Sequence, residues 1–86
     1  MNCPACHGYI GNDLYHVTPW MHELDEHNQI VGATRTIHVY CESCGVFECR
    51  QDHEQRIREI HHITNSKDRR RILRKIPGAR FAEVAA

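Results

Sequence analysis

The chain has 86 residues, 41% of them hydrophobic and only 7% aromatic, so it forms one small domain whose apolar core is marginal on its own. Eleven Lys and Arg balance eleven Asp and Glu, and no apolar run approaches the roughly 18–20 residues that cross a membrane. A large catalytic cleft is excluded at this size, and five cysteines and eight histidines point to a metal as the reinforcement that small scaffolds need.

The first residues lack the basic and apolar regions of a secretory signal, so a reducing, cytoplasmic setting is expected. They instead contain a C-x2-C hook, Cys3-Pro4-Ala5-Cys6, with Gly8 two residues on and a turn ending in Gly11-Asn12-Asp13. Leu14 to Thr18 reads as a strand that Pro19 ends or bends, and Trp20 to Leu24 resumes it. Asp25 to Gln29 is a polar turn. Ile30-Val31 and Thr34 to Tyr40 then read as strand, interrupted by a bulge at Gly32. Thr36, His38 and Tyr40 would face one side, Ile37 and Val39 the other. This strand feeds a second hook, Cys41-Glu42-Ser43-Cys44, followed by Gly45.

Two C-x2-C hooks suit one tetrahedral zinc ion, because each short turn offers two thiolates. Cys3, Cys6, Cys41 and Cys44 are therefore the expected ligands of a single structural Zn2+. Glycine after each hook tolerates the positive φ that such turns require. An iron–sulfur cluster uses the same four-thiolate set. Disulfides would need an oxidising compartment and would leave one of the five cysteines unpaired. A local set of Cys41, Cys44, Cys49 and His53 would strand Cys3 and Cys6, so Cys49 reads as a small apolar residue. His7 adjoins a ligand, His16 and His38 suit cross-strand packing, and His61-His62 suits a surface or a core edge.

Tyr40 before the second hook and Phe47 after it resemble the zinc-ribbon superfamily, whose second hook reads aromatic, C-x2-C-G, aromatic. The resemblance covers residues 1–49. It implies a β-hairpin carrying the hooks, with both rings packed over the metal. The 34 residues between the hooks imply an elaborated hairpin.

Arg50 to about Thr64 reads as an amphipathic helix, with Ile57, Ile60 and Ile63 at three-residue steps. Asp52 before Arg56 and Glu54 before Arg58 are acid-first pairs at helical spacing. Ser66 then reads as the cap of a second, basic helix over residues 66–76, ended by Pro77-Gly78. Phe81 to Ala86 reads as a frayed tail. The expected fold class is thus small α+β: a four-cysteine zinc ribbon followed by two C-terminal helices. Its isoleucine stripe would be able to pair two chains into a dimer.

Charge is distributed unevenly. Residues 1–66 hold four basic and nine acidic residues, whereas residues 67–80 hold seven basic residues against Asp68 alone. Lys67, Arg69, Arg70, Arg71, Arg74 and Lys75 therefore form a candidate surface for phosphates or an acidic partner. A closed four-thiolate zinc site has no open coordination position, so no enzyme and no small-molecule substrate are expected. Two functions fit: a transcription-associated regulator touching nucleic acid through the arginine-rich segment, or an inhibitor or adaptor docking on a larger machine such as RNA polymerase or a host defence complex. In outline the chain is similar to small phage transcription activators of the Ogr/Delta type, which open with C-P-x-C and carry a second cysteine pair. Their second pair is usually spaced C-x4-C, a spacing found here only between Cys44 and Cys49, whereas Cys41 and Cys44 give C-x2-C. That likeness implies a viral DNA-binding protein.

Overall fold

The computed structural model describes residues 1–79; Arg80 and the expected tail, Phe81 to Ala86, lie outside the described residues. A 3-10 turn at Asn12–Leu14 is followed by β1 (Tyr15–Val17), β2 (Met21–Leu24), β3 (Ile30–Cys41), β4 (Gly45–Asp52), β5 (Ile57–Ile63) and one helix, α1 (Ser66–Leu73). All strand pairings are antiparallel. β4 lies between β3 and β5, while β1 and β2 share the other side of β3. β1 takes the half of β3 near Cys41, and β2 the half near Ile30. Pro19 falls in the gap between them, where the missing N–H costs no ladder bond. The expected bulge sits beside Gly32: Glu23 pairs with Gly32 and Leu24 with Ile30, leaving Val31 as the extra residue.

Alternation along β3 and β4 gives the sheet two working faces. On one, Ile37, Val39, Cys41, Phe47 and Cys49 are buried together with Cys3 and Ile10 from the N-terminal segment. On the other, Val46 is buried with Ile72, Leu73 and Ile76 of the C-terminal segment, and Tyr40 and Ile63 pack against them. The sheet is thus covered by the first hook on one face and by α1 on the other. Beyond Thr34, β3 pairs only with β2, so the two continue as a two-stranded ribbon. Met21, Leu24, Ile30 and Val31 on this ribbon are exposed.

The expectation of two C-terminal helices is overturned. Residues 50–52 complete β4, residues 53–56 form a turn, and residues 57–63 are β5. The acid-first pairs are real contacts, yet they belong to a hairpin. Asp52 Oδ1 accepts the backbone N–H groups of Glu54 and Arg56, both at 2.9 Å. Its Oδ2 accepts Arg56 Nε at 3.2 Å and Arg58 Nε at 2.7 Å. Backbone bonds from Asp52 N–H to Arg56 C=O and from Gln55 N–H to Asp52 C=O close the turn, with Gln55 left-handed at φ 66°. The isoleucine spacing is explained by a second bulge. Ile60 pairs with Cys49 and Ile57 with Gln51, so Arg58 is the extra residue, which puts Ile57 and Ile60 on one face. Ile63, opposite Val46, turns to the helix side.

The basic segment is helical, but shorter than expected. Asn65, not Ser66, caps it: its Oδ1 accepts the N–H groups of Lys67 (2.9 Å) and Asp68 (3.2 Å). α1 ends at Leu73, and turns carry the chain on to Pro77 and Gly78. Pro77-Gly78 therefore does not end the helix, and Gly78 has a different task. Its N–H donates to the Asp13 carbonyl at 2.7 Å, tying the C-terminal segment to the 3-10 turn. Among the described residues, no helix is long and apolar enough to cross a membrane.

Candidate metal centre

Each half of the centre is a short turn that the local sequence builds. In the first, Cys3 N–H donates to the Gly8 carbonyl at 2.8 Å, and His7 N–H to the Cys3 carbonyl at 3.0 Å. The left-handed residue here is His7, at φ 63°, rather than the expected Gly8. The loop aims the N–H groups of Ala5 and Cys6 at Cys3 Sγ, at 3.4 and 3.5 Å. The second half is the β3–β4 turn, where Cys41 pairs with Gly45 across the hairpin. Gly45 is at φ 103°, a conformation that favours glycine. It also leaves space for His62, since a Cβ there would lie 3.2 Å from His62 Nε2.

These turns bring Cys3, Cys6, Cys41 and Cys44 together, with all four sulfurs within 4.8 Å of one another. Cys6 Sγ and Cys41 Sγ are 3.8 Å apart. A tetrahedral ion with metal–sulfur bonds of about 2.3 Å needs sulfur–sulfur edges of about 3.8 Å. The donor set therefore fits one metal ion and is consistent with a zinc-ribbon motif. Proton chemistry agrees. Burial works against the Cys3 thiolate, but the N–H groups of Cys6 and Ala5 outweigh it and bring this thiol down to about 7. Cys44 is pushed up to about 12, first by its hydrogen bond with Cys6, then by burial and by Cys3 and Cys41. A divalent cation relieves the mutual repulsion that keeps the last thiols protonated.

The surroundings differ in part from the aromatic frame that the ribbon resemblance implies. Phe47 packs in the same core as Cys3 and Cys41. Tyr40 lies on the opposite face, against α1, because it is one residue out of phase with Cys41. His62 takes part instead: its ring stacks on Phe47 at 4.8 Å, and its Nε2 donates to the Cys44 carbonyl at 3.0 Å. Sequence reasoning missed this residue because it assigned residues 50–64 to a helix. Cys49 is buried opposite Ile37, and burial pushes its thiol up. His53 sits in the β4–β5 turn, so the Cys49/His53 alternative is not assembled. His38 is buried and stacked on His16, with Nε2 3.1 Å from Glu48 Oε2.

The helix divides the basic residues. Lys67, Arg70, Arg71 and Arg74 follow the i, i+3, i+4, i+7 spacing of one helix face and are exposed. Arg69 falls on the opposite stripe with Ile72, Leu73 and Ile76, and is half-buried. Lys75, in the turn after α1, is exposed. Arg71 lies 3.7 Å from Asp68. No ion pair or side-chain hydrogen bond engages Lys67, Arg69, Arg70, Arg74 or Lys75 among the described residues. The four arginines of the sheet are each engaged: Arg35 by Gln51 and the Trp20 ring, Arg50 by Glu59, and Arg56 and Arg58 by Asp52.

Together, an antiparallel sheet with a four-cysteine centre at one end defines a candidate metal-binding domain. Comparison with known proteins takes this no further: no family model, curated protein or solved structure matches the chain.

Proposed function

We propose that this is a non-enzymatic zinc protein that contacts nucleic acid through the outer face of α1. Zinc is the metal that four thiolates in a tetrahedron favour in a reducing setting. Bound there, it supplies a crosslink between the first hook and the β3–β4 turn, with no open position for substrate. The observation that carries the nucleic-acid reading is the contrast in charge pairing. The arginines of the sheet have partners, whereas Lys67, Arg70 and Arg74 line one exposed face without any. Unpaired guanidinium and ammonium groups in a row suit a phosphate backbone.

A specific observation also favours a protein contact elsewhere. The β2–β3 ribbon exposes Met21 (72%), Leu24 (56%), Ile30 (64%) and Val31 (61%), and carries Glu23, Asp25 and Glu26 with no Lys or Arg. Such a surface suits a basic-rimmed apolar groove on a larger protein, and would repel nucleic acid.

Elemental analysis of the reduced chain should return one zinc per molecule, and chelation should unfold it by circular dichroism. The zinc-loaded protein should then retard DNA or RNA in a gel at low salt and release it as salt rises. A chain that holds no metal, or that binds no nucleic acid at low salt, refutes the corresponding half of the proposal.

A further inference from the structure

A cleft of about 240 Å³ opens between the metal-bearing turn and α1, lined by Cys44, Gly45, Val46, His62, Ile63, Thr64 and Arg69. Its position follows from the fold. β5 ends beside the β3–β4 turn, and Asn65 then turns the chain into α1, so the first turn of the helix faces the hook. Arg69 is the residue this geometry singles out. In sequence it is the first of three consecutive arginines. The helical period separates it from Arg70 and Arg71 and places it on the inward stripe.

The Arg69 guanidinium has no acceptor among the described residues, and its nitrogens stay open to solvent and so to an incoming ligand. It makes no hydrogen bond to any of the four cysteine sulfurs, so it does not serve as their direct counter-charge. The Thr64 hydroxyl on the same wall is also without a partner among the described residues. His62 supplies a firm side to the cleft, pinned by Phe47 on its ring face and by the Cys44 carbonyl at Nε2. Arg69 and Thr64 line the same open cleft, and a guanidinium together with a hydroxyl suits an oxyanion.

We infer that this cleft binds a phosphate group, held by the Arg69 guanidinium and the Thr64 hydroxyl, and that the group belongs to a nucleic-acid strand lying along α1. The assignment to nucleic acid rests on the function proposed above; the phosphate site itself does not. It adds an inward anchor to the outer row of Lys67, Arg70, Arg71 and Arg74, and gives Arg69 a role those residues do not share. A divalent ion with four thiolates carries a net negative charge beside the cleft, which weakens the binding of an isolated phosphate.

The test uses the zinc-loaded full chain and 1H–15N NMR. Inorganic phosphate should shift the Gly45, Val46 and Thr64 amides and the Arg69 Nε–H saturably, while chloride at equal ionic strength should not. Arg69→Gln should weaken that binding at least tenfold, and Arg69→Lys should restore only part of it, since an ammonium keeps charge without the fork. Arg70→Gln should leave the cleft shifts unchanged. Should Arg69→Gln fail to fold, the wild-type titration and the lysine variant still decide the matter. Phosphate shifts that spread evenly over α1, or that match those from chloride, overturn the site. The source is settled by competition. An oligonucleotide that moves the same cleft signals and displaces phosphate supports the strand. One that binds α1 but leaves the cleft signals alone overturns the assignment to nucleic acid and leaves a free-phosphate site. If Arg70→Gln/Arg74→Gln abolishes oligonucleotide binding while phosphate still titrates the cleft, the phosphate site is supported as independent of the outer face. If no oligonucleotide binds but phosphate does, the proposed function fails and the site survives.

Discussion

The salt dependence of nucleic-acid binding tests the outer face of α1 quantitatively. Four cations, Lys67, Arg70, Arg71 and Arg74, share that face. If each meets one phosphate of duplex DNA, log K measured in an Arg69→Gln background, which removes the inward anchor, should fall against log salt with a slope of about −3.6, since each contact contributes about −0.9. Raising salt from about 50 to about 200 mM would then weaken binding about 150-fold. Arg70→Gln/Arg74→Gln removes two of the four contacts and should halve the slope to about −1.8. If the two proteins converge near 1 M salt, the variant binds about 200-fold more weakly at 50 mM but only about 20-fold at 200 mM.

Both substituted positions are exposed, so the fold should be unaffected, and an unchanged melting temperature provides the control. Fluorescence anisotropy with a labelled duplex, titrated at four or more salt concentrations, reads the slope directly. An unaltered slope in the double variant refutes the placement of phosphates along this face. A slope that stays near −3.6 in a Lys67, Arg70, Arg71 and Arg74 quadruple variant would move the contact off the helix altogether.

Three further outcomes follow from local geometry. Gly78→Ala places a Cβ 2.7 Å from Asp13 Oδ2 and 2.8 Å from its backbone carbonyl, and the backbone atom cannot swing aside. It should cost about 1–3 kcal/mol in a urea melt, and a variant as stable as wild type would break the proposed tie. His7→Gly relieves a left-handed backbone at φ 63° and should raise stability by up to about 1 kcal/mol, the relief exceeding the added freedom of the unfolded chain; a loss would give the His7 side chain a structural task. Burial holds His38 below its ordinary value of 6.5, opposed by Glu48 and assisted by Lys75 and His16. The unfolded chain therefore binds the proton first as pH falls through 6.5, and stability declines from there downward. Histidine NMR should record the low titration, Glu48→Gln should lower it further, and a His38 that titrates at or above 6.5 contradicts the burial argument.

How far the sequence disclosed the molecule depends on what each segment's signals compete with. The hooks were legible because C-x2-C spacing has few uses and the strand into Cys41 alternates cleanly. Asp52 to Arg58 was misread because a carboxylate four residues before an arginine satisfies two geometries. In a helix the pair sits on one face; here Asp52 closes a turn with the backbone and then reaches the arginines leaving it. A signal was present. Asp25-Glu26-His27-Asn28-Gln29 and Asp52-His53-Glu54-Gln55-Arg56 build the same turn. Each has an aspartate Oδ1 accepting two backbone N–H groups and an amide residue left-handed at the fourth position. Asp25 to Gln29 read as a turn from the sequence, and its repeat did not. The bulge at Arg58 hid β5 further, because it breaks the period of two by which a strand is recognised. Arg69 was grouped with Arg70 and Arg71 because adjacency in sequence says nothing about which side of a helix faces a sheet until the sheet is known.

The charge map also answers an objection to nucleic-acid binding. Residues 1–66 are acidic overall, and a phosphate chain should avoid them. Three of the nine acids, Glu23, Asp25 and Glu26, lie on the ribbon around the Ile30 end of β3, whereas α1 packs at the Tyr40 end. Ten residues of strand separate those ends, about 33 Å at 3.3 Å per residue. The Debye length in physiological salt is about 8 Å, so roughly four screening lengths lie between the acidic tip and the helix. Asp52 and Glu54 are occupied by Arg56 and Arg58. Of the acids near the helix end, Asp68 already lies beside Arg71, and Glu42 sits on the metal-bearing turn. A chain with zero net charge therefore presents two separate fields. Substituting Glu23 and Glu26 with glutamine and Asp25 with asparagine, which keeps the Oδ1 acceptor of its turn, should leave the DNA affinity within about twofold at physiological salt, because those charges are screened from the helix. A larger gain in affinity would mean that the bound strand reaches the ribbon, and the contact surface would have to be redrawn along the whole length of β3.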